Sequence, residues 1–221
     1  MIIRVRFGKE GALRFIGHLD VLRTFQKIFR RAQIPMVYSN GFSPHPIMSF
    51  ALPLGLGLSS EGEYLDAEIE EGLTTGEVLT RLRAATSEEL PVYAVRVLPE
   101  KAGNAMASVG RASYRLELPE EAASAITAAA EKLLAETTHV ISKKTKTQTV
   151  SFDLRPCIHE LYACPPLFMT LSAGSKANVK PELVWEELCR LAGLPEGTKP
   201  LAIRRLDLMT EDGTSLGAIG E

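Results

Sequence analysis

Several things this chain lacks, or has little of, narrow its function. Its 221 residues hold three cysteines, Cys157, Cys164 and Cys189, an odd number with no CxxC pair among them. Neither a disulfide framework nor a zinc ribbon is therefore expected. Cys157 and Cys164 bracket His159, but a C-x-H-x4-C run matches no common zinc spacing, so no metal site is expected and the thiols read as reduced and mostly buried. Aromatic residues make up only 6% of the chain, with one tryptophan, Trp185, and no RNP-type stacking signature is visible. No apolar run approaches the roughly 18 residues that span a bilayer. The opening MIIRVRFG is not followed by an apolar stretch of about 7–15 residues like that of a signal peptide, so a cytoplasmic location is expected. GxSxG, HExxH, Walker A, a GxGxxG with its acidic ribose contact and an iron–sulfur CxxxCxxC motif are all missing, and no cofactor is expected. A net charge of −2 and a pI near 6.1 exclude a generally basic nucleic-acid coat protein, so any polyanion site must be a local patch.

The composition, 45% hydrophobic and 24% charged, is that of an ordinary soluble protein able to bury a core. The length suits two domains of about 100 residues each. Residues 2–7 alternate Ile3, Val5 and Phe7 with Arg4 and Arg6, a strand with one basic face. A helix follows over about 17–32, with Leu22, Phe25, Phe29 and Ala32 as its buried stripe and Pro35 as its stop. Strands are expected over 47–54, 64–69 and 92–97, with a helix over 75–85 between the last two. This β-α-β-β-α-β order predicts a ferredoxin-like domain over residues 1–99. Residues 100–110 read as a linker. Over 111–221 the pattern recurs, with strands at 112–118, 139–142, 149–154, within 160–172 and 201–209, and helices over 119–136 and 181–192. The fold class expected is α+β, with two tandem ferredoxin-like domains.

The most informative segment is 13–50. Arg14, Arg23, Lys27, Arg30 and Arg31 place cations on or beside one face of the first helix, spaced to meet successive phosphates. After the helix comes a polar loop containing Tyr38, Ser39, Asn40, Gly41, Phe42, Ser43 and His45. Prolines 44 and 46 fix the backbone around His45, which suits a ligand or partner contact. His18 sits at the mouth of the apolar stripe, where it either satisfies a structural group or serves with His45 as a general acid–base pair. A second basic loop, with Lys176 and Lys180, leads into the helix at Pro181 and offers an anion site. The run 143–148, rich in lysine, reads as a basic hairpin or a protected edge.

The stretches RFIGHLDVLRTFQKIFRRAQIP, YSNGFSPHPIMSFALPLGLGLSSEGEYLDAEI, FDLRPCIHEL and LSAGSKANVKPELV resemble the bacterial radical-SAM-linked proteins, a domain of unknown function. The resemblance covers most of the chain. It implies a companion of a B12-type radical SAM protein, fused to it or encoded nearby; this chain lacks the iron–sulfur motif itself. Its implied role is accessory and non-catalytic, in RNA modification. Three functions are thus expected in descending order. The first is an RNA-binding module acting with a radical SAM protein on tRNA or rRNA. The second is a protein-docking module for that partner without RNA contact, and the third a metal-independent endoribonuclease using His18 and His45.

Overall fold

The computed structural model describes residues 1–144 and 149–220; of the basic run 143–148, residues 145–148 lie outside the described ones. The chain forms two compact units, one of residues 1–110 with 205–221 and the other of residues 111–204. Both are α+β.

The first unit begins with β1 (Ile2–Lys9), a 3-10 turn at Gly11–Phe15 and α1 (His18–Arg31). It continues through β2 (Met48–Phe50), β3 (Ser59–Glu68), α2 (Thr75–Ala85), β4 (Val92–Val97) and a single turn, α3 (Ala105–Ser108). The strand order is β4-β1-β3, with β2 also on β3, and every one of these pairings is antiparallel. Register explains which side chains are inside. Ile3 lies opposite Ala67 and Val97, and Val5 opposite Leu65 and Val95, so one face of the sheet is a continuous apolar surface.

Helices α1 and α2 cover that face. Val21, Phe25, Ile28 and Phe29 of α1 are buried, and the Phe7 and Phe25 rings meet edge to face at 4.6 Å. Leu22, expected in the buried stripe, is only partly buried, because Val21 and Ile28 turn more directly toward the sheet. Arg30 and Arg31 fall in the last turn, where the macrodipole favours cations, and Gln33 ends the helix at a φ of 52°. Helix α2 begins with a reciprocal capping box between Thr74 and Glu77. The hydrogen bonds from Thr74 hold the Glu77 carboxyl below its ordinary pKa.

The second unit contains β5 (Arg111–Glu117), α4 (Ala123–Ala135), β6 (Val140–Lys144) and β7 (Thr149–Asp153), followed by β8 (Ile158–Tyr162), β9 (Leu167–Ser172) and α5 (Pro181–Leu191). The strand pairing does not show the expected tandem ferredoxin-like domains. Strands β5, β9 and β8 lie side by side, whereas β6 and β7 pair only with each other as a separate hairpin. The reason is local: the turn at Arg155–Cys157 separates β7 from β8, and Asp153 Oδ1 accepts the backbone N–H groups of both His139 and Arg155, closing the hairpin at its base. On α5, Trp185 is buried and its indole N–H donates to the Thr198 carbonyl at 2.8 Å.

The last strand, β10 (Ala202–Met209), crosses the division at Arg205. From there on it belongs to the first unit, where it neighbours β3. Residues 103–105 and 215–220 also return onto the sheet face opposite the helices. There Arg4 donates to the carbonyls of Gly103 and Leu216, and Arg96 to that of Gly220.

Candidate nucleic-acid interface

Helix α1 presents one solvent face with Arg23, Lys27, Arg30 and Arg31 all exposed. They are not equally available. Arg23 pairs with Asp20 at 3.2 Å across one turn, a surface contact worth little. Arg31 donates to the Ala85 carbonyl at 2.9 Å and so ties α1 to α2. Lys27 and Arg30 have no hydrogen bond or ion pair among the described residues. Arg14, in the turn before the helix, lies over the Phe15 ring at 4.7 Å.

The 38–46 loop is a closed hairpin rather than an open coil. Tyr38 bridges to Pro46, and Ser39 N donates to the His45 carbonyl at 2.9 Å. Ser39 Oγ lies 2.9 Å from His45 Nδ1 and accepts from His45 N at 3.2 Å. Three contacts between the same two residues lock the mouth of the loop. Gly41, at a φ of 122°, supplies the left-handed turn at the tip, a conformation other residues rarely adopt. The result is a Phe42 side chain that is wholly exposed (112%), with Tyr38 also exposed at 55%. An apolar ring held this far out by a braced turn gives nothing to the core. Asn40, Ser43 and His45 are likewise exposed around it.

His18 and His45 have separate partners among the described residues: His18 opens α1 and packs edge-on against Phe50, with centroids 5.2 Å apart, whereas His45 is bound to Ser39 in the hairpin.

His18 instead lines a cavity of about 20 Å³ with Lys9, Glu63, Phe7 and Leu52, room for a single water and too small for a nucleotide. The charges behind it went unrecognised in the sequence. Lys9 is 3% exposed and donates to the Ile16 carbonyl at 2.8 Å. Burial lowers its pKa. Glu63 accepts from Ser60 and forms a two-point ion pair with Arg205, whose guanidinium also donates to the Leu52 carbonyl at 2.8 Å. Arg4, expected on a basic face, is 2% exposed and paired with Asp66 at 2.8 and 2.9 Å. Tyr64 donates to Asp207, and burial together with that carboxylate pushes the phenol pKa well up. The only sequence signal for these groups was charged residues in the middle of strands.

Lys176 and Lys180 are exposed and lie in the second unit. Lys180 is the residue before α5, whose first turn carries Pro181 and Glu182. This unit also holds an ionic cluster with no local sequence signature. His139 is buried, its Nδ1 paired with Glu136 and its Nε2 2.6 Å from Glu187 Oε1, while Arg190 donates to the same oxygen at 2.6 Å and to Oε2 at 3.0 Å. Burial pulls the His139 pKa down, but the two carboxylates outweigh it and hold the imidazole above its usual value. Burial pushes Glu187 up, yet Arg190 and His139 keep it below the ordinary carboxylate value.

These features define an α+β protein with a cation-bearing helix face and an aromatic-tipped hairpin; among its described residues no helix is long and apolar enough to cross a membrane. The chain belongs to the family described as "Uncharacterized protein conserved in bacteria (DUF2344)", which matches residues 3–181. No curated protein matches it. Among solved structures it is similar to a chain of "Crystal Structure of a Cbf5-Nop10-Gar1 Complex", with 12% identity and a TM-score of 0.43. The match covers 95% of this chain and 50% of that one, so this chain spans half its length.

Proposed function

We propose that this protein is an accessory module that binds RNA through the outer face of α1 and the 38–46 hairpin, working beside a radical SAM protein in the modification of tRNA or rRNA. The observation that carries the reading is the wholly exposed Phe42, fixed on a braced turn, together with the unpaired cations Lys27 and Arg30 on the helix that precedes it. Cations meet the backbone, and an aromatic ring offers a surface on which an unstacked base can lie, the two ingredients of single-strand binding. Arg14, Arg23 and Arg31 extend the positive face, Arg23 after release from Asp20. Lys176 and Lys180 add phosphate contacts in the second unit. The radical SAM partner comes from the family resemblance in 14–35, 38–69, 152–161 and 171–184.

The test is fluorescence anisotropy of the purified chain with tRNA and rRNA fragments at two salt concentrations. Binding is expected to weaken with salt, log affinity against log salt falling by about 0.7 for each single-strand phosphate neutralised. Lys27→Glu with Arg30→Glu should abolish it while leaving the thermal melt unchanged. Affinity insensitive to both salt and charge reversal would overturn the reading.

A specific observation also favours docking to the radical SAM protein. Phe15, Leu19 and Leu56 are exposed at 62%, 61% and 65%, and Gly57 N donates to the Arg14 carbonyl at 2.9 Å, bringing the loop that carries Leu56 beside Phe15. Apolar side chains gathered on a surface mark an interface. Co-purification with the partner that survives nuclease and high salt, and is lost in Phe15→Ser, would favour this surface over RNA.

A further inference from the structure

A second cavity, of about 280 Å³, lies in the first unit where β2 meets the end of β3. Its walls are apolar, formed by Ile2, Ile47, Met48, Leu98, Pro99 and Ala102. Such a volume approaches that of small-molecule sites and far exceeds the water-sized voids of a packed interior.

Its polar lining is small and one-sided: Ser49, Asn104, Asp66 and Glu68, with no cation. Asp66 is already satisfied, since both oxygens take Arg4 and Oδ2 also accepts Ala105 N at 2.6 Å. The Asn104 side-chain oxygen caps α3 through Ala107 N at 2.8 Å. Glu68 differs. Its backbone is fixed on both sides, Val37 N donating to its carbonyl and its own N–H donating to Ile47, yet its carboxylate has no partner among the described residues.

We propose that this cavity is a binding site for a small organic cation, an amine carried on an apolar body. The uncompensated Glu68 charge repels phosphates and carboxylates, which excludes nucleotides and acids. A wholly apolar ligand would strip water from that carboxylate without replacing it, at a cost. A hard metal ion needs six or more oxygens, and only Glu68 has its carboxylate disengaged. An ammonium group set on Glu68, with its apolar body against Met48, Leu98 and Pro99, satisfies both parts of the lining. This site is distinct from the RNA surface and does not depend on it.

The probe is phenethylamine, compared with 2-phenylethanol as its neutral isostere and phenylacetate as its anion. Binding to the full chain is read from the methyl resonances of Ile2, Ile47, Met48 and Leu98. Phenethylamine is expected to shift these methyls saturably, the alcohol to bind at least tenfold more weakly, and phenylacetate not to bind. Glu68→Gln should cost the amine at least tenfold while leaving the alcohol unchanged, and Ala102→Phe should block both. Thermal melts of both variants confirm that they are folded. Equal binding of amine and alcohol, unchanged amine affinity in folded Glu68→Gln, or no shift at millimolar amine would each overturn the proposal.

Discussion

Glu63 and Arg205, 142 positions apart, meet as a two-point ion pair that is nearly sealed from solvent. Lys9 and Ser60 stand beside them, so four polar residues share one interior pocket. Removing the guanidinium leaves Glu63 buried with Lys9 as its remaining nearby cation and no two-point partner. Arg205→Met is therefore expected to destabilise the protein by about 3–5 kcal/mol, and pairing it with Glu63→Leu to recover most of that loss. Urea unfolding of the two variants decides it; equal losses would mean that shape, not charge, governs the site.

Gly62 gives a steric counterpart. A β-carbon there would stand 2.2 Å from the Leu206 carbonyl oxygen and 2.5 Å from the Asp207 α-carbon, both backbone atoms of β10. Gly62→Ala should cost about 3 kcal/mol by overpacking, seen as a lowered melting temperature. By contrast Gly76, in the first turn of α2 with open space around it, should accept alanine with a gain of up to about 1 kcal/mol.

Stability should also depend on pH through His139. Its pKa is raised in the folded state by Glu136 and Glu187, so its contribution is fully present below the ordinary histidine value of 6.5 and is lost as pH rises through the folded value. The melting-temperature gap between wild type and His139→Gln is expected to be widest near pH 6 and to narrow toward alkaline pH. A gap independent of pH would show that packing alone holds the imidazole. Glu187 acts with the opposite sign, since its lowered pKa gives a contribution lost in acid.

In the hairpin, Phe42→Ala removes no buried surface and should leave stability within about 0.5 kcal/mol. RNA affinity should nonetheless fall by about 1–3 kcal/mol, the range for loss of a stacking aromatic. Ser39→Ala, which removes the brace on His45, should weaken binding less, by loosening the turn. Anisotropy titrations with one RNA compare the three proteins directly.

What the sequence reveals and what it hides follow a physical line. Helix α2 is readable to the residue, because Thr74, Glu77 and the Val78–Leu82 spacing are local signals. The same holds for β4, an alternating run of six residues. The rigid turn of the hairpin is also visible, since its prolines and glycine act on the backbone next to them. Arg4 and Lys9 are not readable in this way. Alternation puts Arg4 on the outer face of β1, which is true, but that face is covered by residues 103–105 and 215–220, and nothing near Arg4 in sequence announces them. Glu136, His139, Glu187 and Arg190 escape for the same reason, since His139 and Glu187 are 48 positions apart.

The first unit is discontinuous: residues 1–110 are completed only by 205–221. During synthesis Glu63 and Tyr64 emerge from the ribosome long before Arg205 and Asp207, and the whole second unit is made in between. The nascent chain must carry a half-lined β3 edge and an interior carboxylate without its arginine partner until the second unit has been made. A ribosome that stalls within the second unit thus displays a first unit still waiting for its closing strand, a natural substrate for chaperones and proteases.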